Sequence, residues 1–283
     1  MSGDETPAGA EAHSDRGRDS TAPRDVVVVG GGVAGLSAAV FTARQGLDTL
    51  VVDDGGSLLR RNAHLENFPG FPLGVNARQL LDLLGEQAAN AGVDRLDGRA
   101  TRVSAVGDGG SRDAGGSDPV ADARFVVEVD ADDGADLRGD PVRSRYVVAA
   151  TKNEVGYLDE ADGVGILDRG KSYVDTDERG RTGVDGLYAA GRLAEKPHQA
   201  AVCAGHGAEV GVTILEEDDR GFYHDWVAPE GYFTDRGRQV PPGCEEIGDD
   251  ERREREEESR EAIRERFAAP HPNPQETHPS LEE

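Results

Sequence analysis

Three glycines and one aspartate are the residues of this 283-residue chain whose types and spacing most directly imply chemistry. Gly30, Gly32 and Gly35 stand in a G-x-G-x-x-G pattern within VVVVGGGVAG, and Asp53 follows 18 residues after Gly35. The first glycine suits a tight turn. The second has no side chain, so a pyrophosphate can approach the backbone. The third lets a helix pack closely on a strand. Free N–H groups at the start of that helix attract the phosphates, and a carboxylate at the end of the next strand accepts hydrogen bonds from a ribose. Such a glycine pattern is weak by itself. Its strand, helix and terminal acid make it a dinucleotide-binding signature.

The elements that must hold these residues are legible nearby. Residues 25–29 form an apolar run of the kind buried on both faces of a parallel sheet. A helix over 33–45 and a strand over 49–53 complete a βαβ unit. Leu80, Leu81, Leu83, Leu84 and Ala88 predict a helix over 76–91, with Asn76 as its cap. From about 99 the pattern turns to strands at 100–106, 123–129 and 143–150, joined by Gly/Asp-rich linkers. Strand pieces are expected near 164–167, 171–175 and 186–190, and a helix over 198–215.

Three further stretches resemble the FAD domain of the thioredoxin reductase family, within the pyridine nucleotide–disulfide oxidoreductases. They are DDGGSLLRRNAHLENFPGFP (53–72), RGRTGVDGLYAAGR (179–192) and HQAAVCAGHGAEVGVTIL (198–215). The resemblance covers about residues 25–215. It implies an α/β fold: a single three-layer ββα FAD/NAD(P)-binding, Rossmann-like domain with a β-meander, followed by a C-terminal extension. It implies FAD as cofactor. By that resemblance Gly30, Gly32, Val33 and Ala34 hold the pyrophosphate, Gly35 completes the cofactor-binding turn by its close packing, and Asp53 serves the ribose. Gly56, Ser57 and Leu58 line the adenosine-to-ribityl path, and Asn67 lies near the flavin. Ala150 and Thr151 close over the dinucleotide, and Gly191 passes the ribityl chain. His198, Gln199 and Ala200 offer backbone N–H groups to the flavin N1/C2=O edge, where a helix start stabilises the charge of reduced flavin.

Two departures bear on function. The family's Gly-Asp is Gly191-Arg192 here, and a guanidinium donates where the aspartate accepts; a phosphate would suit it better. Between Thr151 and Gly186 lie 34 residues, too few for a second nucleotide domain, since one βαβ unit takes roughly 30. The family's NAD(P)H domain and its Cys-x-x-Cys are expected to be absent. Two function classes therefore stand side by side. One is an FAD-dependent oxidoreductase fed by an external donor, with NAD(P)H, ferredoxin and a thiol protein among the options. The other is a non-catalytic flavin- or nucleotide-binding module, a redox sensor or scaffold.

Composition sets the frame. The chain carries 56 acidic against 31 basic residues, a formal charge of −25, and only Lys152, Lys171 and Lys196 are lysines. Acids spread along the whole length fit a protein kept hydrated in high salt, and no basic patch suggests nucleic acid. No apolar run reaches the ~20 residues of a membrane span. Two cysteines, Cys203 and Cys244, imply a reducing, cytoplasmic setting without a disulfide framework. Cys203 reads either as a packed core residue or as a thiol that exchanges electrons with flavin. No histidine shows metal-ligand spacing, so no metal is expected. Five aromatics over 222–233 read as a docking extension or as cover for the flavin. The expected organisation is a disordered acidic N-terminus (1–23), the FAD domain (24–216), an aromatic extension (217–248), and a charged helix with a Pro/His tail (249–283). A homodimer is the expected assembly by analogy.

Overall fold

The valines at positions 26–29 sit at the centre of the molecule because both faces of their strand are covered, leaving them at most 3 % exposed. The computed structural model describes residues 23–106, 123–131 and 141–281; the expectations for the N-terminus and for nearly all of both Gly/Asp linkers lie outside them. The first half of the chain runs β1 (Arg24–Val29), α1 (Val33–Arg44), β2 (Thr49–Asp53), α2 (Ala77–Asn90), β3 (Asp94–Ala105), β4 (Phe125–Ala131) and β5 (Val142–Ala149). The hairpin β6 (Ile166–Asp168) and β7 (Ser172–Val174) follows, then β8 (Leu187–Ala189) and α3 (Ala200–Glu217). The extension adds β9 (Trp226–Pro229), β10 (Cys244–Ile247) and α4 (Asp249–Arg266).

A parallel sheet has the order β3-β2-β1-β5-β8. The far end of β3 leaves it to pair antiparallel with β4, and β4 pairs with the start of β5, making a meander. Side chains alternate across β1. Val26 and Val28 join a core with α1, α2 and α3, while Val27 and Val29 join one with the meander residues Val103, Phe125 and Val127. Helices, parallel sheet and meander are the three layers of the expected ββα arrangement. Asn76 caps α2 as its residue type suggests, accepting from the N–H groups of Arg78 (3.0 Å) and Gln79 (3.3 Å).

β3 begins at Asp94, ahead of the expected 100, because its first turn of pairing is written in charged residues. An outer parallel strand alternates exposed and buried, so Asp94-Arg95-Leu96-Asp97 shows no apolar run. α3 starts at Ala200, two residues late, since Gln199 is still extended. Residues 151–186 hold a 3-10 turn and the β6–β7 hairpin, with no strand–helix–strand unit. In the extension the parallel pair β9–β10 had no counterpart in the sequence reading. The extension meets the core through Arg44–Asp225 (2.6 Å), Arg220–Asp25 (2.8 Å) and Phe222. α4 has no buried residue; it is held at its end by Arg266 on Glu86 (Nε to Oε2, 2.7 Å), and the next residue's ring, Phe267, meets Phe71.

Candidate functional site

The carboxyl ends of β2, β1, β5 and β8 open onto one cleft of about 1020 Å³. Cofactor sites run from roughly 300 to 1,000 Å³, so a large ligand is indicated. The cleft lies where the chain order reverses across β1, the usual ligand position in open α/β sheets.

Its floor is the glycine turn. Gly30 leaves β1 at φ +111°, and a Cβ there would stand 2.8 Å from the Ala150 carbonyl oxygen. Gly35 packs behind the turn, where a Cβ would overlap the Gly30 carbonyl. Gly32 differs, since a Cβ there would meet only Ser57 Oγ, at 3.9 Å. Gly32 is also the residue preceding α1, and no side chain caps that helix. Gly32, Val33 and Ala34 line the cleft, so the orphan N–H groups of the first turn are left for an anion.

Asp53 stands to the β2 side. It is 6 % exposed, and its Oδ2 accepts from Arg95 Nη2 at 2.9 Å. Arg95 is oriented in turn by Asp97 (3.0 Å). One carboxylate oxygen is thereby fixed, and the group keeps acceptor capacity for hydroxyls. Gly56, Ser57 and Leu58 line the same side.

Ala150 and Thr151 stand on the β5 side. The Thr151 hydroxyl donates to the Glu154 carbonyl (2.7 Å) and accepts from Tyr157 (2.9 Å). Burial pushes the Tyr157 hydroxyl well above its ordinary range, so it remains a neutral donor. Across the cleft Asn67 Nδ2 donates to Gln199 Oε1 at 2.7 Å, tying the 62–72 segment to the start of α3. Gln199 precedes α3, and no side chain caps that helix either. Asn67, His198, Gln199 and Ala200 all line the cleft, so two uncapped helix starts face one space.

Gly35 and Gly191 do not line it; they set its walls. A Cβ at Gly191 would come within 2.6 Å of Ala34 Cβ, and the Gly191 N–H donates to His206 Nδ1 at 3.0 Å. Arg192 lines the cleft, with its guanidinium 4.7 Å above the Tyr173 ring and donating to the Tyr173 hydroxyl and the Lys196 carbonyl. Cys203 lines it too. Its Sγ lies 3.5 Å from the Pro197 carbonyl, and burial pushes its thiol upward, away from the reactive thiolate. Cys244 is a free thiol on β10. None of the 222–233 aromatics lines the cleft; Trp226, Tyr232 and Phe233 pack edge-to-face on one another. No cluster of metal-ligating side chains occurs among the described residues, and none of their helices is long and apolar enough to cross a membrane.

Sequence reasoning missed Arg95, Tyr157 and His206, and saw Lys152 and Lys171 only as two of three lysines. His206 is buried, accepts at Nδ1, and leaves Nε2 without a well-placed partner. Burial and the nearby Lys196 lower its pKa to about 4, against a smaller opposing pull from the Glu178 carbonyl and Asp177. The lysines carried a signal that went unused: they are three among 31 basic residues, and two of the three line the cleft.

An FAD binding domain family model matches residues 25–64. A thioredoxin reductase of Streptomyces clavuligerus is 35 % identical over 88 residues, 30 % of this chain and 27 % of the relative. A 34.2 kDa protein in the rubredoxin operon of Clostridium pasteurianum is 40 % identical over 72 residues, 25 % of this chain and 23 % of the relative. The chain thus spans about a quarter of the curated relatives it matches. Among solved structures, a thioredoxin reductase from Gloeobacter violaceus aligns with TM-score 0.54 and 18 % identity over 72 % of this chain and 99 % of that one. One from Streptococcus pyogenes gives 0.55 and 13 % over 70 % and 98 %. These structural likenesses establish the Rossmann-like fold.

Proposed function

We propose that the cleft binds FAD and that the protein is an FAD-dependent oxidoreductase related to the thioredoxin reductases. One observation carries this reading. Two uncapped helix starts, at Gly32 and Gln199, face a single cleft with the buried Asp53 at its β2 end. A cradle for one nucleotide needs only the first helix. The second suits a ligand that continues past its phosphates to a group that gains negative charge. The residues fit FAD at each point: open space before Gly32, a carboxylate for the ribose, and polar groups at the far end.

Bound FAD would supply electron-pair or single-electron transfer at its ring system. The chain's part is to hold and tune it. α1 would neutralise the diphosphate with backbone N–H groups. Asp53, fixed by Arg95, would orient the ribose. The start of α3, braced by Asn67–Gln199, would favour the reduced state. The electron donor is an external molecule in this reading, because residues 151–186 hold no second nucleotide unit. That same observation supports a second reading, a flavin-binding module that does not turn over.

The test is spectroscopic. The protein as purified, or after titration with FAD, should show the visible absorption bands of bound oxidised flavin. Anaerobic addition of NADH, NADPH, reduced ferredoxin or a dithiol should bleach them at a turnover-competent rate with at least one donor. Bound flavin that no donor reduces would favour the module. A colourless protein that ignores added FAD would remove both readings.

A further inference from the structure

Lysine is scarce in this chain, and it is concentrated in one place. Lys152 and Lys171 line the cleft, and Lys196 lies on the loop between Arg192 and α3, donating to the Glu178 carbonyl at 3.3 Å. Among the described residues most arginines are paired with carboxylates. Three cleft cations, Lys152, Lys171 and Arg192, and the neighbouring His198 imidazole are different. All four line the cleft, and among the described residues none of the four has a carboxylate partner. They act on one another instead. Lys171 and Arg61 press the Lys152 ammonium downward after burial, and Arg192, Lys152 and Lys171 do the same to His198. The acids of the cleft wall are engaged elsewhere: Asp53 with Arg95, Glu154 with Arg99, Asp54 with the Gly56 N–H, and the exposed Glu66 beside His64 at 3.8 Å.

Topology separates this cluster from the diphosphate position. The carboxyl edge of the sheet runs from Asp53 on β2, past the glycine turn after β1, to Lys152 after β5 and Arg192 after β8. Lys171 reaches the same end from the β6–β7 turn. The cations therefore stand beyond the glycine turn, opposite the ribose acid. Lys152 also holds φ +69°, a left-handed conformation that residues with a Cβ adopt at a cost. This left-handed position carries a half-buried charge that has no carboxylate partner among the described residues.

We propose that Lys152, Lys171, Arg192 and His198 form a receiving site for a small polyanion, a molecule bearing carboxylate or phosphate groups that docks at the flavin end of the cleft. The proposal builds on the FAD reading above. Lys152 and Arg192 are half-buried while Lys171 and His198 are exposed, so the groups stand at the mouth of the cleft, where a small molecule can reach them beside the bound cofactor. Compact, mobile ammonium groups fit a ligand that enters and leaves, whereas guanidinium forks suit fixed pairing.

The experiment is calorimetric titration of the full chain, with and without saturating FAD, using pyrophosphate in one arm and citrate in the other. At least one anion should bind the FAD-loaded protein saturably, and more weakly as salt rises. The arm that binds identifies a phosphate- or carboxylate-bearing partner. The pair Lys152→Gly and Lys171→Met should weaken binding by about tenfold or more, the loss expected for charged hydrogen-bond donors. Lys152→Gly removes the charge and suits the left-handed backbone, so this variant should fold at least as stably as the wild type. Lys152→Arg should retain affinity, and Arg253→Ala on α4 should change nothing. Absence of binding in both arms, equal binding by the lysine pair, or equal weakening by Arg253→Ala would overturn the proposal. So would binding that FAD abolishes, since the cations would then serve the cofactor itself. If the chain takes up no FAD yet binds an anion through the lysines, the site stands and the cofactor reading falls.

Discussion

Gly32 and Gly35 lie three residues apart and should answer one added methyl in different currencies. At Gly35 the methyl would enter the Gly30 carbonyl; at Gly32 it would enter open cleft. Gly35→Ala should therefore destabilise the fold by about 2 kcal/mol or more, read from urea midpoints, because backbone on both sides must shift. Gly32→Ala should keep its midpoint and lose FAD affinity. A Gly32→Ala protein that binds FAD as tightly as the wild type would show that the diphosphate lies elsewhere. His206 gives a pH signature. Its pKa falls to about 4 in the folded chain, from the ordinary 6.5. The unfolded chain then binds more protons across that window, so stability is full above the upper value and declines as pH falls toward the lower. The loss should reach about 3 kcal/mol. His206→Asn, whose amide oxygen can still accept from Gly191, should reduce the slope between neutral pH and about pH 4.5, leaving the share of His198, whose pKa burial also lowers. Asp25 and Asp177, whose pKa values are lowered, act only at still lower pH. The glycines and Asp53 were legible in the sequence because spacing alone fixes their roles. His206 and Arg95 were not, because their roles depend on partners 15 and 42 residues away.

Between elements, the site is set by how closely α1 and α3 approach. Ala34 and Ala38 of α1 face Gly207 and Gly211 of α3, and a Cβ at Gly207 would lie 2.8 Å from the Ala34 Cα. This contact places both uncapped helix starts on one cleft. Gly207→Val should force the helices apart and cost about 3 kcal/mol in chemical denaturation. FAD affinity should fall as well, since the Gln199 end moves with α3. Unchanged stability would mean that the helices tolerate a wider spacing. The helices were readable from caps and periodicity, and β1 and β2 from their apolar runs. The start of β3 was not, because an outer strand carries charges where a central one carries valines. The short pair β9–β10 was also missed. Its residues include Pro229, Glu245 and Glu246, which carry no apolar alternation, and its two strands are separated by the 14 residues 230–243 of the chain.

For the whole molecule, the formal charge of −25 is the dominant long-range term. Many of its arginines pair with acids on the surface, where such pairs contribute little each, so the excess of carboxylates remains. Added salt screens that repulsion within about 10 Å or less. The melting temperature should rise from dilute buffer to molar KCl, measured by circular dichroism. A flat profile would count against adaptation to high salt. The sharing of β3 and β5 between sheet and meander has a further result. Each is hydrogen-bonded to the parallel layer at one end and to β4 at the other. The meander therefore cannot peel away while the nucleotide layer stays intact. Amide protons of Val103, Val127 and Val147 should exchange with deuterium together, at the rate of global opening, as one zip with no separate teeth.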